Sequence, residues 1–366
     1  MSILSIFSII ISIVIYGLIC YYIGFNGWAW LKSAKFAKYK KSYVTSMVFL
    51  SLSIFIGIYL PYAGLQWISG FWMAILGYSF IVLPIANIVH FLLKKKQVFW
   101  IGIAVLSFYL FIFIYGSYNA WVPVVKTYDI QVNKTAQNKN LKIFMASDLH
   151  LGQMVGKSHL DRLISLIHQE KPDIVLLPGD IINDNIQPYL EKNMGETLGK
   201  IDAPLGVYAV LGNHDYYGND KDAILAEMDN LGIRVLMDEY VLINDFYLIG
   251  RKEHTDKTRK VLSTYLKGLD ATRPMIMMDH QPKDLKEAEL NGIDLLLSGH
   301  THKGQLAPAN LLTDLIYEND YGYLKKGSMH SLVSSGFGLW GPPIRIGSQA
   351  EVMVINVHFK DKQKGE

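Results

Sequence analysis

The sequence has only one cysteine, Cys20, among its 366 residues. A single thiol excludes an intrachain disulfide framework and a metal site built from several cysteines. Acidic residues are missing from a whole region, because residues 1–119 contain no Asp or Glu and are very apolar. Residues 140–366 have the mixed composition of a soluble domain. The chain therefore divides into two chemically different parts, and its length allows two domains of ordinary size.

The net charge of +3 is small for a protein of this length. Most of the excess lysine lies in two short runs that flank apolar segments, so the charge does not form a continuous basic surface. A nucleic-acid partner is therefore not expected.

Four apolar stretches occupy residues 1–119. They are Ile3–Ile23, Val44–Gln66, Phe71–Leu93 and Val98–Tyr118. Each is about 21 to 23 residues long, enough to cross a hydrocarbon core of about 30 Å. Four such stretches in a row have no polar faces with which to surround a soluble core. The first also lacks the basic start of a cleaved signal peptide. We therefore predict a four-helix transmembrane anchor over residues 1–119.

Lysines mark the side of the membrane on which each loop lies. Lys32, Lys35, Lys38, Lys40 and Lys41 follow the first stretch, and Lys94, Lys95 and Lys96 follow the third. Lysine-rich loops stay in the cytoplasm. The C-terminal domain is accordingly predicted to be extracytoplasmic, in a multi-pass protein of the cell membrane.

Residues 120–140 form a predicted linker, and residues 141–366 a predicted catalytic domain. From Leu141, short β-branched runs alternate with helical periodicity, which is typical of an α/β sheet domain. A hairpin is expected at Asn244–Asp245. Helices are predicted at His159–Glu170, Pro188–Lys200, Asp222–Leu231, Asp256–Lys267 and Lys283–Leu290.

Polar clusters follow five of the predicted strands. They are Asp148-Leu149-His150, Gly179-Asp180, Gly212-Asn213-His214-Asp215, His280, and Gly299-His300-Thr301-His302. Ligands of open α/β sheets bind beyond the carboxyl ends of the strands, so these clusters are expected to meet at one edge. Asp, Asn and His without Cys form a site suited to manganese, iron or zinc. The ligands are too many for one tetrahedral ion, which favours two divalent cations bridged by a carboxylate.

The order and spacing of these five blocks resemble the calcineurin-like metallophosphoesterase superfamily over residues 141–358, and the segment Ser334–Arg345 resembles its membrane-bound bacterial branch. The resemblance implies a four-layer αββα sandwich. It also implies a first metal on Asp148, His150, Asp180 and His302, and a second on Asp180, Asn213, His280 and His300. His214 corresponds to the catalytic histidine. Asp215 is a second catalytic candidate that orients His214 or, equally well, caps the helix after it.

Two positions depart from the usual pattern of that family. Many relatives carry an acidic residue three positions after the metal-binding Asp, whereas here Asn183 and Asp184 both compete for that role. Lys303 stands where many relatives have glycine, and it either contacts the substrate phosphate or lies solvated at the rim. Arg345 is a second candidate substrate contact.

These features predict a membrane-anchored hydrolase of phosphoester or pyrophosphate bonds, in which a metal-bridging hydroxide attacks phosphorus. The alternative is a non-catalytic membrane scaffold or sensor that keeps metal for stability. A lipid-linked substrate is predicted from the short linker and the apolar insert between Gln305 and Ser331. The same insert would also serve as a loop that covers the core.

Overall fold

The structure is a computed structural model, and it describes residues 3–60 and 62–360. Within them the helices are α1 (Ile3–Ser33), α2 (Lys40–Tyr59), α3 (Ala63–Leu92), α4 (Val98–Trp121), α5 (Lys157–Glu170), α6 (Gln187–Glu191), α7 (Gly195–Leu198), α8 (His214–Tyr217), α9 (Lys221–Asn230), α10 (Leu262–Tyr265), α11 (Leu285–Leu290) and α12 (Asn310–Ile316). The strands are β1 (Val124–Thr135), β2 (Asn140–Met145), β3 (Ile174–Pro178), β4 (Val207–Val210), β5 (Ile233–Val235), β6 (Glu239–Ile243), β7 (Phe246–Gly250), β8 (Met275–Met278), β9 (Leu295–Ser298), β10 (Gly322–Lys326), β11 (Met329–Val333) and β12 (Glu351–Lys360). Short 3₁₀ helices lie at Ala37–Tyr39 and His302–Gly304.

Three helices of the described residues are long and apolar enough to cross a membrane. They cover Ser5–Ser33, Gly64–Leu92 and Val98–Trp121. The prediction of four spanning helices is therefore wrong in number. The predicted second span, Val44–Gln66, combines the end of α2 with the start of α3. α2 itself begins with two lysines and contains several serines, so it offers a shorter uninterrupted apolar length than its neighbours.

The chain forms two compact units. The first holds the residues up to Ser117 together with Gly341–Ile344, and the second holds Tyr118–Trp340 and the residues from Arg345 onward. Much of the predicted linker over residues 120–140 is strand β1, which pairs with β12 along most of its length. The second unit therefore begins before Leu141, with the last turn of α4.

The second unit contains two six-stranded sheets. The strand order is β1-β12-β2-β3-β4-β5 in the first sheet and β10-β11-β9-β8-β7-β6 in the second. Strands β2 to β5 run parallel, as do β7, β8, β9 and β11. Antiparallel pairs occur towards the edges, including the predicted hairpin of β6 and β7, which is confirmed.

Alternate side chains of the strands face two different cores. In β2, Ile143 and Met145 pack against the second sheet, whereas Phe144 packs under the helices of the first. Leu160 and Leu163 of α5 close that outer core, and α10 and α11 cover the far face of the second sheet. The order of layers is therefore helices, sheet, sheet, helices, as the αββα prediction requires.

The start of β1 and the end of β2 lie at the same edge of the first sheet. Val124, at the start of β1, pairs with Glu351, and Met145, at the end of β2, pairs with Met353. Because β12 runs parallel to β1 and antiparallel to β2, the amino end of β1 and the carboxyl end of β2 lie at the same edge. The chain thus enters the domain from α4 at the edge where β2 ends.

The predicted helix Asp256–Lys267 is wrong, because only Leu262–Tyr265 is helical. Asp256 Oδ1 accepts hydrogen bonds from the backbone N–H and the hydroxyl of Thr258, which turns the chain at once. Arg259 then donates to Asp279, with Nη2 at 2.6 Å from Oδ2. Local side-chain bonds and a distant ion pair therefore override the helical periodicity.

Candidate metal centre

The candidate ligands come from the ends of five strands, three in the first sheet and two in the second. Asp148 and His150 follow β2, Asp180 follows β3, and Asn213 follows β4. His280 follows β8, and the pair His300 and His302 follows β9. Within each sheet these strands are parallel, so all the ligands are delivered at carboxyl ends.

Five of these seven residues have a left-handed backbone. Positive φ values occur at Asp148 (54°), His150 (46°), Asp180 (53°), His300 (73°) and His302 (48°). Each such conformation costs on the order of 1 kcal/mol or more for a residue with a side chain. Backbone strain concentrated on the candidate ligands is typical of a functional site.

Glycines make room for the two carboxylates. A side chain at Gly212 would overlap Asp180, and one at Gly299 would overlap both Asp148 and Ser147. Both glycines therefore permit a neighbouring strand end to approach closely.

The structure brings the seven candidate ligands into two adjoining groups. Asp148, His150 and His302 form one, and His302 Nε2 lies 3.1 Å from His150 Nε2 and 3.5 Å from Asp148 Oδ1. Asp180, His280 and His300 form the other, with His280 Nε2 at 3.1 Å from Asp180 Oδ2.

Asp180 and Asn213 complete the arrangement. Asp180 Oδ2 also lies 3.7 Å from His150 Nε2, so this carboxylate touches both groups. Asn213 Oδ1 lies 2.8 Å from His300 Nδ1. Asp180 is thus the candidate ligand that contacts both groups.

Burial keeps three of the candidate histidine ligands neutral, whereas the charge of Asp180 raises the pKa of His280 to about 10. Burial lowers the pKa of His150 and of His300 to about 3, and it lowers the pKa of His302 as well. Burial alone would raise the pKa of Asp180, but His280 and His150 outweigh it and leave that pKa below its usual value. Neutral imidazoles and an ionised carboxylate are the forms that bind a cation.

The donor set fits divalent cations. Asp148 Oδ2 and His150 Nδ1 are buried, and neither has a hydrogen-bond partner among the described residues. A buried polar atom without a partner is costly unless something else binds it. Nitrogen and oxygen donors of this type suit manganese, iron or zinc.

His214 lies beside the two groups and remains partly exposed. Its ring centroid is 4.7 Å from that of His150, and its backbone N–H donates to Asp180 Oδ1 over 2.8 Å. Its Nδ1 lies 2.7 Å from Asp184 Oδ1. Burial lowers the pKa of His214, but the bond to Asp184 and the charge of Asp180 outweigh it, so the pKa is raised. The ring is therefore suited to donate a proton.

The carboxylate that holds His214 is Asp184, and the prediction for Asp215 is wrong. Asp215 is fully buried and accepts hydrogen bonds from the backbone N–H groups of Ile181, Ile182 and Gly212. It provides no side-chain cap for α8. Asp215 therefore fixes the turn that carries Asp180, and burial raises its pKa to about 7.

Arg345 is also placed differently from its predicted role as a substrate contact. The residue is fully buried, and its guanidinium donates to the carbonyls of Ser335 and Gly336 over 2.7 and 3.1 Å. Its Nη2 also lies 3.2 Å from His302 Nδ1. No part of it is accessible to a substrate, so it holds the loop behind a candidate ligand.

Lys303 lies half-buried at the rim. Its ammonium group stands 4.3 Å from the ring centroid of Tyr321. This contact keeps the charge next to the site, and Lys303 stays a candidate substrate contact.

Three aromatic side chains lie near the site; Tyr317 belongs to the apolar insert from which a lipid-linked substrate is predicted, whereas Tyr217 was not recognised from the sequence. Tyr217 and Trp340 lie 5.2 and 6.0 Å from the ring of His214, and Tyr317 lies 6.0 Å from the ring of His300. Tyr217 is the second residue after Asp215, in the helix that His214 begins, which is the one signal that could have located it.

A further cluster of His254, Asp279 and Asp284 has metal-like spacing. Two arginines pair with its carboxylates. Arg251 Nη1 lies 3.2 Å from Asp284 Oδ2, and Arg259 Nη2 lies 2.6 Å from Asp279 Oδ2. Two guanidinium groups already neutralise the acids, so the cluster is an ion-pair network.

Comparison with known proteins identifies the family. The Calcineurin-like phosphoesterase family matches residues 141–304. An uncharacterized metallophosphoesterase of Aquifex aeolicus is 32% identical over 254 residues, covering 67% of this chain and 96% of its own. One from Campylobacter jejuni is 30% identical over 272 residues, covering 72% of this chain and 71% of its own. The chain belongs to the calcineurin-like phosphoesterase family.

A third relative is named as a transmembrane protein. The transmembrane protein with metallophosphoesterase domain of Danio rerio is 32% identical over 263 residues, covering 66% of this chain and 59% of its own. Together with the three apolar helices, this likeness supports membrane association. The chain is thus a membrane-associated, metal-binding phosphoesterase.

Proposed function

We propose that this phosphoesterase cleaves a phosphoester or diphosphate carried on a membrane lipid, outside the cytoplasm, with two divalent cations of manganese, iron or zinc. Asp148, His150 and His302 would hold one cation, and Asn213, His280 and His300 the other, with Asp180 shared between them. Such cations neutralise charge on the phosphoryl oxygens and acidify the water that serves as nucleophile.

The chain's own contribution to bond cleavage is proton transfer by His214. Asp184 holds the Nδ1 side of the ring at 2.7 Å, which leaves Nε2 to face the reacting group. The raised pKa of His214 keeps a proton available for the leaving oxygen. Among the described aromatic side chains, Tyr217 and Trp340 flank the ring.

One observation supports the proposal of a lipid-linked substrate. The amino end of β1, where the chain arrives from α4, lies at the same sheet edge as the carboxyl end of β2, from which Asp148 and His150 follow. Only Val122 and Pro123 separate α4 from β1, a distance of at most about 11 Å when extended. The candidate metal centre therefore lies at the edge of the first sheet at which the chain arrives from α4.

Hydrogen bonds reinforce that tie within the second unit. Near the end of α4, the carbonyl of Asn119 accepts from the backbone N–H of Ala350, and its side chain donates to the carbonyl of Arg345 over 3.2 Å. Arg345 in turn contacts His302. A substrate held in the same bilayer would meet the enzyme at high local concentration.

We expect the full chain in vesicles to hydrolyse a lipid phosphodiester at least about tenfold more efficiently than a chain shortened to begin at Tyr118, because only the former shares a surface with the lipid. Both forms should hydrolyse a soluble aryl phosphodiester within about threefold of each other. Measured kcat/KM values for both substrates decide the question. Equal lipid turnover by the two forms, or a strong preference for a soluble nucleotide, would exclude the lipid-linked substrate.

The side of the membrane follows from charges next to the last span. Lys94, Lys95 and Lys96 precede Val98–Trp121, and no basic residue lies between Trp121 and Lys126. The basic flank of a span stays in the cytoplasm, so the charges on the two sides of Val98–Trp121 favour an outward end at Trp121.

We expect alkaline phosphatase fused after the last residue to be active, since this reporter requires export, and a fluorescent protein fused there to be dark. The same reporters inserted between Lys95 and Lys96 are the matched control and should behave in the opposite way. Fluorescence from the C-terminal fusion, with an inactive phosphatase, would place the catalytic domain in the cytoplasm.

A further inference from the structure

Helix α12 exposes a face of large aliphatic side chains. Leu311, Leu312, Leu315 and Ile316 are 60 to 82% exposed, and no residue of the helix is buried. Positions i, i+1, i+4 and i+5 lie on one side of a helix, so the four side chains form a continuous apolar face. The interpretation of this insert as a loop that covers the core is therefore wrong for α12.

The opposite side of α12 is fastened to the metal centre. Thr313 Oγ donates to Asp320 Oδ2 over 2.8 Å, and the carbonyl of Asp320 accepts from the hydroxyl of Thr301 over 2.6 Å. Thr301 stands between His300 and His302. These bonds fix the orientation of the helix, so its apolar face is held outward.

Both ends of α12 also connect to the site. Gly304 lies so close to the first turn that a side chain there would overlap Asn310, and Gly304 directly follows the turn of His302 and Lys303. At the other end, the ring of Tyr317 contacts that of His300. The apolar face therefore borders the rim of the metal centre.

We propose that the α12 face, Leu311, Leu312, Leu315 and Ile316, inserts into the hydrocarbon of the membrane that anchors the chain. The face is fastened to the turn of His300 and His302 after β9, and His302 Nε2 lies 3.1 Å from Nε2 of His150, which follows β2. The carboxyl end of β2 is at the same edge of the first sheet as the amino end of β1, two residues after Trp121. Chain connectivity thus keeps this edge near the bilayer. Burial of four aliphatic side chains is the interaction that a lipid surface offers.

The composition of the face favours lipid over a protein partner. Protein interfaces concentrate their binding energy in Trp, Tyr and Arg, none of which lies on this face. Tyr317 and Trp340 stand at the rim of the neighbouring site, and such amphipathic rings are common at the level of the lipid head groups. The inference rests on membrane attachment and holds for any substrate.

A single label tests the insertion. In the full chain with Cys20→Ser, Leu315→Cys receives a polarity-sensitive fluorophore, and the protein is reconstituted into phosphatidylcholine–phosphatidylglycerol vesicles containing lipid with a spin label on its acyl chain. Leu290→Cys is the matched control, because Leu290 is 74% exposed and precedes β9, at the opposite end of that strand from His300. We expect acyl-chain quenching at position 315 to exceed that at position 290 at least about twofold. Equal quenching at both positions overturns the proposal.

Two further measurements separate the remaining outcomes. Energy transfer between labels on two copies, without acyl-chain quenching, would identify a second copy of the chain as the occupant and also overturn the proposal. Changing Leu311, Leu312 and Ile316 to Gln should reduce the quenching of the label at Leu315→Cys to the level at position 290, while soluble aryl phosphodiester turnover, a check of folding, persists. Quenching at position 315 without any lipid hydrolysis leaves the insertion intact and refutes only the lipid-linked substrate.

Discussion

Asp180→Asn is expected to reduce phosphodiester hydrolysis by at least about 10³-fold and to lower the bound metal by at least one ion per chain. The amide keeps the size of the side chain and removes the negative charge. Asp180 is the residue that touches both ligand groups, through His280 at 3.1 Å and His150 at 3.7 Å. Without its charge, neither group retains a shared ligand. Elemental analysis together with kcat/KM on an aryl phosphodiester measures both losses.

Asp222→Asn is the matched control for this variant. Asp222 is an exposed carboxylate in α9, away from the ligand groups, and its replacement should leave metal content and activity unchanged. Full metal content in Asp180→Asn would contradict the assignment of Asp180 as the shared ligand, even if activity were lost.

His214→Ala is expected to lower kcat by about 10² to 10⁴-fold while metal content stays at the level of the unaltered chain. In the proposed mechanism the ring donates a proton to the leaving oxygen, and the substitution removes none of the seven proposed ligands. Asp184→Asn should lower kcat by about tenfold with little change in KM, because Asp184 is proposed to act by positioning the ring through its Nδ1.

The double variant distinguishes positioning from a structural effect. If Asp184 acts through His214, adding Asp184→Asn to His214→Ala should cause no further loss of kcat, since the two side chains work as a unit. Independent losses that multiply would show that Asp184 acts elsewhere. A scaffold or sensor that keeps metal only for stability would show no hydrolysis in the unaltered chain and none to lose.

Sequence patterns were sufficient for the type of fold and of chemistry. Five polar blocks, each directly after a β-branched run, predicted that Asp148, Asp180, Asn213, His280 and His300 would meet at one edge, and the structure places them there. Parallel strands present their carboxyl ends together, so strand order along the chain was enough for this prediction. Apolar length likewise indicated the membrane helices, although Lys40 and Lys41 shorten the apolar part of α2 and lower the count to three.

Only the tertiary structure could decide which side chains meet around those ligands. Asp184, with a left-handed backbone of φ 62°, contacts His214. Asp215, the residue directly after His214, instead points inward and accepts hydrogen bonds from three backbone N–H groups. Arg345 approaches His302 across 43 residues of chain, a distance over which no periodicity carries information. The apolar α12 face gave the same sequence signal as a buried helix. The contact between Thr313 and Asp320 holds the other side of the helix and leaves this face exposed. Local composition specifies an amphipathic helix, but the packing of the rest of the chain determines what lies against it.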